Sequence, residues 1–186
     1  MTQYLDITIR SLLVTVFLTS FLGKVARRGA YDAFVASLHD TRLMPGLTKV
    51  AAPALIAAEL AVCALLVVPA ALAVTVAGLV TAASILAVLA MGVTLVLRRG
   101  VTAPCHCFGA SAAVLGPRHI ARNVALAVLA AVGAVFAAAD TRVHPGGAAM
   151  ATVAGVVLGV LTVRLDDLLE LFRSTPHAPA STVRSG

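Results

Sequence analysis

The sequence has no tryptophan, two tyrosines, three cysteines and only 12% charged residues, against 60% hydrophobic ones. With a mean hydropathy of +1.01, so thin a charged complement excludes a soluble domain, because the long Ala/Val/Leu runs have no polar shell to cover them. Also missing is the ten-residue apolar/polar alternation of membrane strands. The apolar runs are instead about twenty residues long, the length a helix needs to cross about 30 Å of hydrocarbon. Backbone polar groups cannot stay unpaired in lipid, so runs of this length form helices. The formal net charge of +6 does not mark a nucleic-acid binder. No basic stripe with interleaved aromatics exists, and lysine and arginine sit in loops and at segment ends, where they determine membrane orientation. No flavin or haem motif is present.

The fold class that follows is all-α, a polytopic transmembrane helical bundle with a four-helix core plus a fifth span. The spans are expected at about 5–25, 47–68, 73–97, 119–139 and 148–163. In the first, Lys24, Arg27 and Arg28 follow the apolar run and Arg10 interrupts it, so it reads as a retained helix rather than a cleaved leader. Tyr31, Phe34, Val35 and Leu38 recur at helical spacing and predict a short amphipathic helix at the interface. Pro53 is expected to kink the second span or to lie in its first turn. Pro69 marks the turn of a hairpin between spans two and three. Beyond Arg164, the spacing of Leu165, Leu168, Leu169 and Phe172 beside Asp166, Asp167 and Glu170 predicts an amphipathic stalk. Residues 1–173 read as one integral membrane domain, multi-pass in the plasma membrane, and 174–186 as a disordered tail. Gly78, Ala82, Gly92, Gly155 and Gly159 permit close helix contact, with Gly155-Val156-Val157-Leu158-Gly159 as a small-xxx-small pattern.

Basic residues give a sidedness. Lys24, Arg27, Arg28, Arg42 and Lys49, then Arg98, Arg99 and Arg118, then Arg164, Arg173 and Arg184 all fall in segments that five spans place on one face. The other face has only Arg142. The positive-inside rule therefore puts the amino terminus outside and the segment between spans three and four on the cytoplasmic side.

That segment carries Cys105-His106-Cys107-Phe108-Gly109, two thiols one residue apart. A disulfide closed across one residue is strained and easily reduced, which suits exchange better than stapling. His106, Arg98, Arg99 and Arg118 favour thiolate, while Pro104 and Gly109 bracket a turn. Two other readings stay open: inert loop cysteines, or soft-metal ligation by Cys-His-Cys, which lacks the second half of a closed zinc site. The cytosol keeps ordinary thiols reduced. The pair is thus either reached from the far side of the membrane, or carries reducing equivalents outward, or the sidedness is reversed.

Glu59 lies half way along the second span, where an acid requires a partner or a wet cavity. Lys24 and Arg122, at similar depth on the same face, are its candidate partners, each with snorkelling to the headgroups as the alternative. Cys63, one turn beyond Glu59, is either a resolving thiol or a buried hydrophobe. His39, His119, His144 and His177 read as solvated. Phe108 reads as a packing anchor.

Phe17-x-x-Ser20-x-x-x-Lys24, Phe34, Pro45, Pro53, Glu59, Cys105-x-Cys107-Phe108-Gly109 and Arg122-Asn123 together resemble MauE, the membrane proteins of methylamine utilisation. The resemblance spans roughly residues 5–129. It implies a bundle related to DoxX-like and vitamin-K-epoxide-reductase-like four-helix proteins, with Cys105 and Cys107 as the redox pair. It also implies a role in maturing methylamine dehydrogenase, an exported client rich in disulfides, beside a thioredoxin-like partner. Electrons would pass to a quinone held between helices or to a second thiol pair. Glu59, with Lys24 or Arg122, would then manage protons or fix the thiol loop. A non-catalytic assembly factor and a soft-metal relay are the competing functions.

Overall fold

Hydropathy and helix follow one another closely in the computed structural model, which describes residues 2–41, 46–68, 71–100, 116–137 and 144–172, with side chains as far as Leu165. The described elements are six helices: α1 (Thr2–Val25), α2 (Ala30–Asp40), α3 (Thr48–Val67), α4 (Leu72–Arg98), α5 (Pro117–Phe136) and α6 (Pro145–Phe172). Five of them, all but α2, are long and apolar enough to cross a membrane. The fold is the all-α polytopic bundle the apolar runs require.

The boundaries differ from expectation in instructive ways. Helices α5 and α6 begin at Pro117 and Pro145, earlier than the apolar runs begin, because proline at the first helical position gives up a hydrogen bond that no helix start can use. The fifth span runs on past Arg164 as expected: its membrane-length portion reaches Leu165, and α6 continues through the charged stretch to Phe172 as one helix. Pro53 lies inside α3 rather than in its first turn, so the Lys49 carbonyl lacks its usual donor. Residues 101–115, 69–70 and 173–186, and with them the Cys105–Cys107 motif, the Pro69 turn and the expected tail, lie outside the described residues.

Lipid-facing sides are apolar and open: Val88, Met91, Val135 and Met150 are 66–76% exposed. Several hydroxyls within the spans are satisfied by their own helix. Thr15, Thr19, Thr81, Ser84 and Thr94 each donate to the carbonyl one turn earlier, at 2.7–2.8 Å, which withdraws those donors from hydrocarbon.

Helix α1 packs against α2, α3, α5 and α6, while α4 packs against α3 and α5. The core between them contains Leu13, Val16, Phe17, Val62, Leu66, Leu79, Leu86 and Leu126. At one end of the α1–α3 interface, the Arg10 guanidinium donates to the Leu66 carbonyl from Nε (3.2 Å) and Nη2 (2.6 Å). It thereby satisfies a carbonyl in the last turn of α3. Asp6 lies 3.8 Å from the same guanidinium.

Helix α6 docks through a column of small residues. Ala151, Gly155 and Gly159 are its buried positions among the described side chains, one turn apart, and they face Thr8, Ser11, Leu12 and Thr15 of α1. The small-xxx-small pattern thus joins two helices of one chain. A β-carbon at Gly155 would meet Ser11 Cβ at 2.7 Å and the Thr8 carbonyl oxygen closer still. Gly155→Ala should therefore lower stability by about 1–3 kcal/mol, read as an earlier denaturation midpoint in detergent. Gly46→Ala, where nothing lies within 4 Å, should leave the midpoint unchanged.

Candidate functional site

The last turns of α1 place Phe17, Ser20 and Lys24 on one face, because residues three and four apart stack. That face meets α3 at Glu59. Lys24 Nζ lies 2.8 Å from Glu59 Oε1, donates to Ser20 Oγ at 2.6 Å and reaches the Ser20 carbonyl at 3.3 Å. Ser20 Oγ in turn donates to Glu59 Oε1 at 2.9 Å. An ammonium has three protons to place, and these three acceptors surround it. The Lys24 and Glu59 side chains are 1% and 2% exposed. Of the two partners the sequence offered for Glu59, Lys24 forms the ion pair, and its snorkelling alternative is overturned: the ammonium turns inward.

Helix α2 closes the outer side. Its amphipathic face, expected at Tyr31, Phe34, Val35 and Leu38, buries Phe34 and leaves Tyr31 exposed. The Phe34 ring stands over Lys24 Nζ at 5.2 Å to the centroid. Its quadrupole faces the charge and replaces water that would otherwise solvate it.

Helix α5 supplies the facing wall. Gly116 is its N-cap residue, and the Gly116 N–H donates to His119 Nδ1 at 3.3 Å, the returning half of a capping box. This corrects the expectation of a solvated His119: the capping contact draws the ring in, leaving it 7% exposed. Arg122 and Asn123, three and four residues on, share that face and are also buried. His39 and His144 are exposed, and His177 lies outside the described residues.

Between these walls is a cavity of about 40 Å³. Its polar lining is Ser20, Lys24, Glu59, His119, Arg122 and Asn123; Phe17, Leu55, Leu86, Leu89 and Val93 complete it. Arg122 therefore shares the cavity with the ion pair. Glu59 Oε2 is buried without a hydrogen-bond partner among the described residues. Cys63 does not line the cavity. It sits in the apolar core, with its sulfur 4.0 Å from the Val14 carbonyl, as a small hydrophobe would.

Ser20, His119 and Asn123 were not read as site residues from sequence alone. The spacing of His119, Arg122 and Asn123 on one helical face was the available signal for the last two; nothing local distinguishes Ser20 from the hydroxyls that bond their own helix.

Five membrane-crossing helices with a buried, hydrogen-bonded ion pair between α1 and α3 define a multi-pass membrane protein with a polar centre inside its bundle. The family model for methylamine utilisation protein MauE matches residues 2–136, and the chain belongs to that family. Helix α6 lies beyond the matched region. The comparison with curated proteins gives no match, and that with solved structures gives none either.

Removing one partner of a buried ion pair strands the other charge, at a cost of about 3–5 kcal/mol. Lys24→Met and Glu59→Gln should each lower the unfolding free energy in detergent by about that much. The double variant should recover most of the loss, and a thermodynamic cycle on the four proteins measures the coupling.

Proposed function

We propose that this protein is a membrane thiol–disulfide redox protein that supports maturation of an exported, disulfide-containing enzyme, methylamine dehydrogenase being the client its family points to. Cys105 and Cys107 are the reacting pair. One thiolate attacks a disulfide of a thioredoxin-like partner, forms a mixed disulfide and releases one partner thiolate. The second cysteine then displaces the other, leaving Cys105 and Cys107 joined and the partner reduced. Run in reverse, the same steps oxidise the partner. After the forward steps a quinol or a second dithiol resets the pair by giving it two electrons and two protons; after the reverse steps a quinone or a second disulfide resets it by accepting them.

The observation that carries this reading is where the motif enters and leaves the bundle. Cys105-x-Cys107-Phe108-Gly109 connects α4 to α5, and the near ends of those helices wall the polar cavity through Val93, His119, Arg122 and Asn123. Lys24 and Arg122 place two positive charges against the Glu59 carboxylate there, a balance that would favour thiolate over thiol in a cysteine reaching it. Glu59, Lys24 and Arg122 act as positioning and proton-handling residues rather than as nucleophiles.

Cys105→Ser and Cys107→Ser test the exchange. One of the two should accumulate a mixed disulfide with a thioredoxin-like partner, visible on a non-reducing gel and lost on reduction. Full client maturation in both variants, with no trapped partner in either, would remove thiol exchange and leave a scaffold.

An impermeant thiol reagent tests sidedness. The positive-inside distribution predicts labelling of Cys105 and Cys107 in inverted vesicles and not in intact cells. Labelling in intact cells alone would place the motif outside and reverse the assignment.

A further inference from the structure

Glu59 Oε1 is saturated: Ser20 Oγ and Lys24 Nζ both donate to it. Glu59 lines the cavity, and its Oε2 is buried and receives no donor from the described residues. An ionised carboxylate oxygen without a donor carries its full desolvation penalty. A cavity needs only about 10–15 Å³ to hold one water, provided it has polar partners. This one has about 40 Å³, and Ser20, His119, Arg122 and Asn123 supply the polar groups.

We propose that the cavity is a hydration site built into the bundle. Ordered water donates to Glu59 Oε2, bridges it to the polar face of α5, and gives that carboxylate a route for exchanging a proton without separating the helices. Among the described residues, the titratable and charged groups around Glu59 are Lys24 from α1, His119 and Arg122 from α5 and, one turn along α3, Cys63; α4 contributes Leu86, Leu89 and Val93 to the lining. The water carries the proton to and from the carboxylate, with Lys24 and Arg122 lining the same cavity. The inference extends the redox reading, in which forming a disulfide from two thiols releases two protons, but it rests on the cavity and not on thiol chemistry.

Two phenylalanines make a matched pair for the test. Phe17 and Phe34 are both 3% exposed, yet Phe17 lines the cavity and Phe34 is not among its lining residues. Radiolytic hydroxyl footprinting of the full chain in nanodiscs, in water enriched with oxygen-18, labels side chains that touch bound water whatever their exposure. The expected result is several-fold more labelling of Phe17 than of Phe34. Equal, low labelling of the two rings would mean a dry cavity and overturn the proposal.

Infrared spectra supply the second readout. On acidification, the carboxyl band that appears in the wild type and is absent from Glu59→Gln should shift in deuterium oxide as fast as the solvent mixes. A band that exchanges over hours would show that Glu59 has no water connection and would likewise overturn the proposal. Neither readout involves Cys105 or Cys107, so failure here leaves thiol exchange to stand or fall by its own trapping experiment.

Discussion

An acid half way along a membrane helix must be neutralised or hydrated, and the placement of Glu59 governs the arrangement of the whole amino-terminal part of the bundle. Its counter-charge comes from the last turn of α1, 2.8 Å away. Lysine belongs there on two grounds: the carboxyl end of a helix favours a positive charge, and Ser20 one turn back holds the ammonium to the acid. Taking both charges out of water gains little in itself. Its consequence is geometric, because the pair is satisfied only when α1, α3 and the α2 lid at Phe34 are all in place.

That requirement makes α1 the centre of the molecule. It is tethered to α3 at two levels by polar contacts, Arg10 to the Leu66 carbonyl and Lys24 to Glu59, with Leu13, Val16 and Phe17 packed between. Further faces of it pack on α5 and on the glycine column of α6. In lipid, the gain from excluding water between helices is gone and close packing replaces it, which is why small residues mark the α1–α6 contact. Helix α6 lies outside the family match at 2–136 and packs on the back of α1, away from the polar cavity.

Spans were legible in the sequence because bilayer thickness imposes a length and lipid forbids open backbone. The ends were less so. Charges at Arg164, Asp166 and Asp167 end the apolar run without stopping the helix, as the spacing of Leu165, Leu168, Leu169 and Phe172 indicates, while Pro117 and Pro145 were available as helix starts and outweigh the apolar count. The site was half legible. Glu59 stood out because ionisable residues in spans are rare and functional, and spacing nominated Lys24 and Arg122; choosing between them needed the third dimension. Ser20 was marked only by its place in the Phe17-x-x-Ser20-x-x-x-Lys24 pattern and not as a partner of Glu59, because serine in a helix ordinarily bonds its own backbone. His119 misled because a residue at a span edge reads as wet, whereas its capping bond to Gly116 turns it inward.

Everything proposed for the polar centre depends on the Lys24 ammonium and the Glu59 carboxylate meeting inside a bilayer. Solid-state NMR on full-length protein in lipid, with nitrogen-15 in lysine and carbon-13 in the glutamate carboxyl, measures that meeting through their dipolar coupling. A strong coupling between Lys24 Nζ and the Glu59 carboxyl carbon, as the 2.8 Å nitrogen–oxygen contact demands, and its loss in Lys24→Met, is the predicted result. A Lys24 resonance with the wild-type coupling only to lipid phosphate would place the lysine at the headgroups and contradict the account.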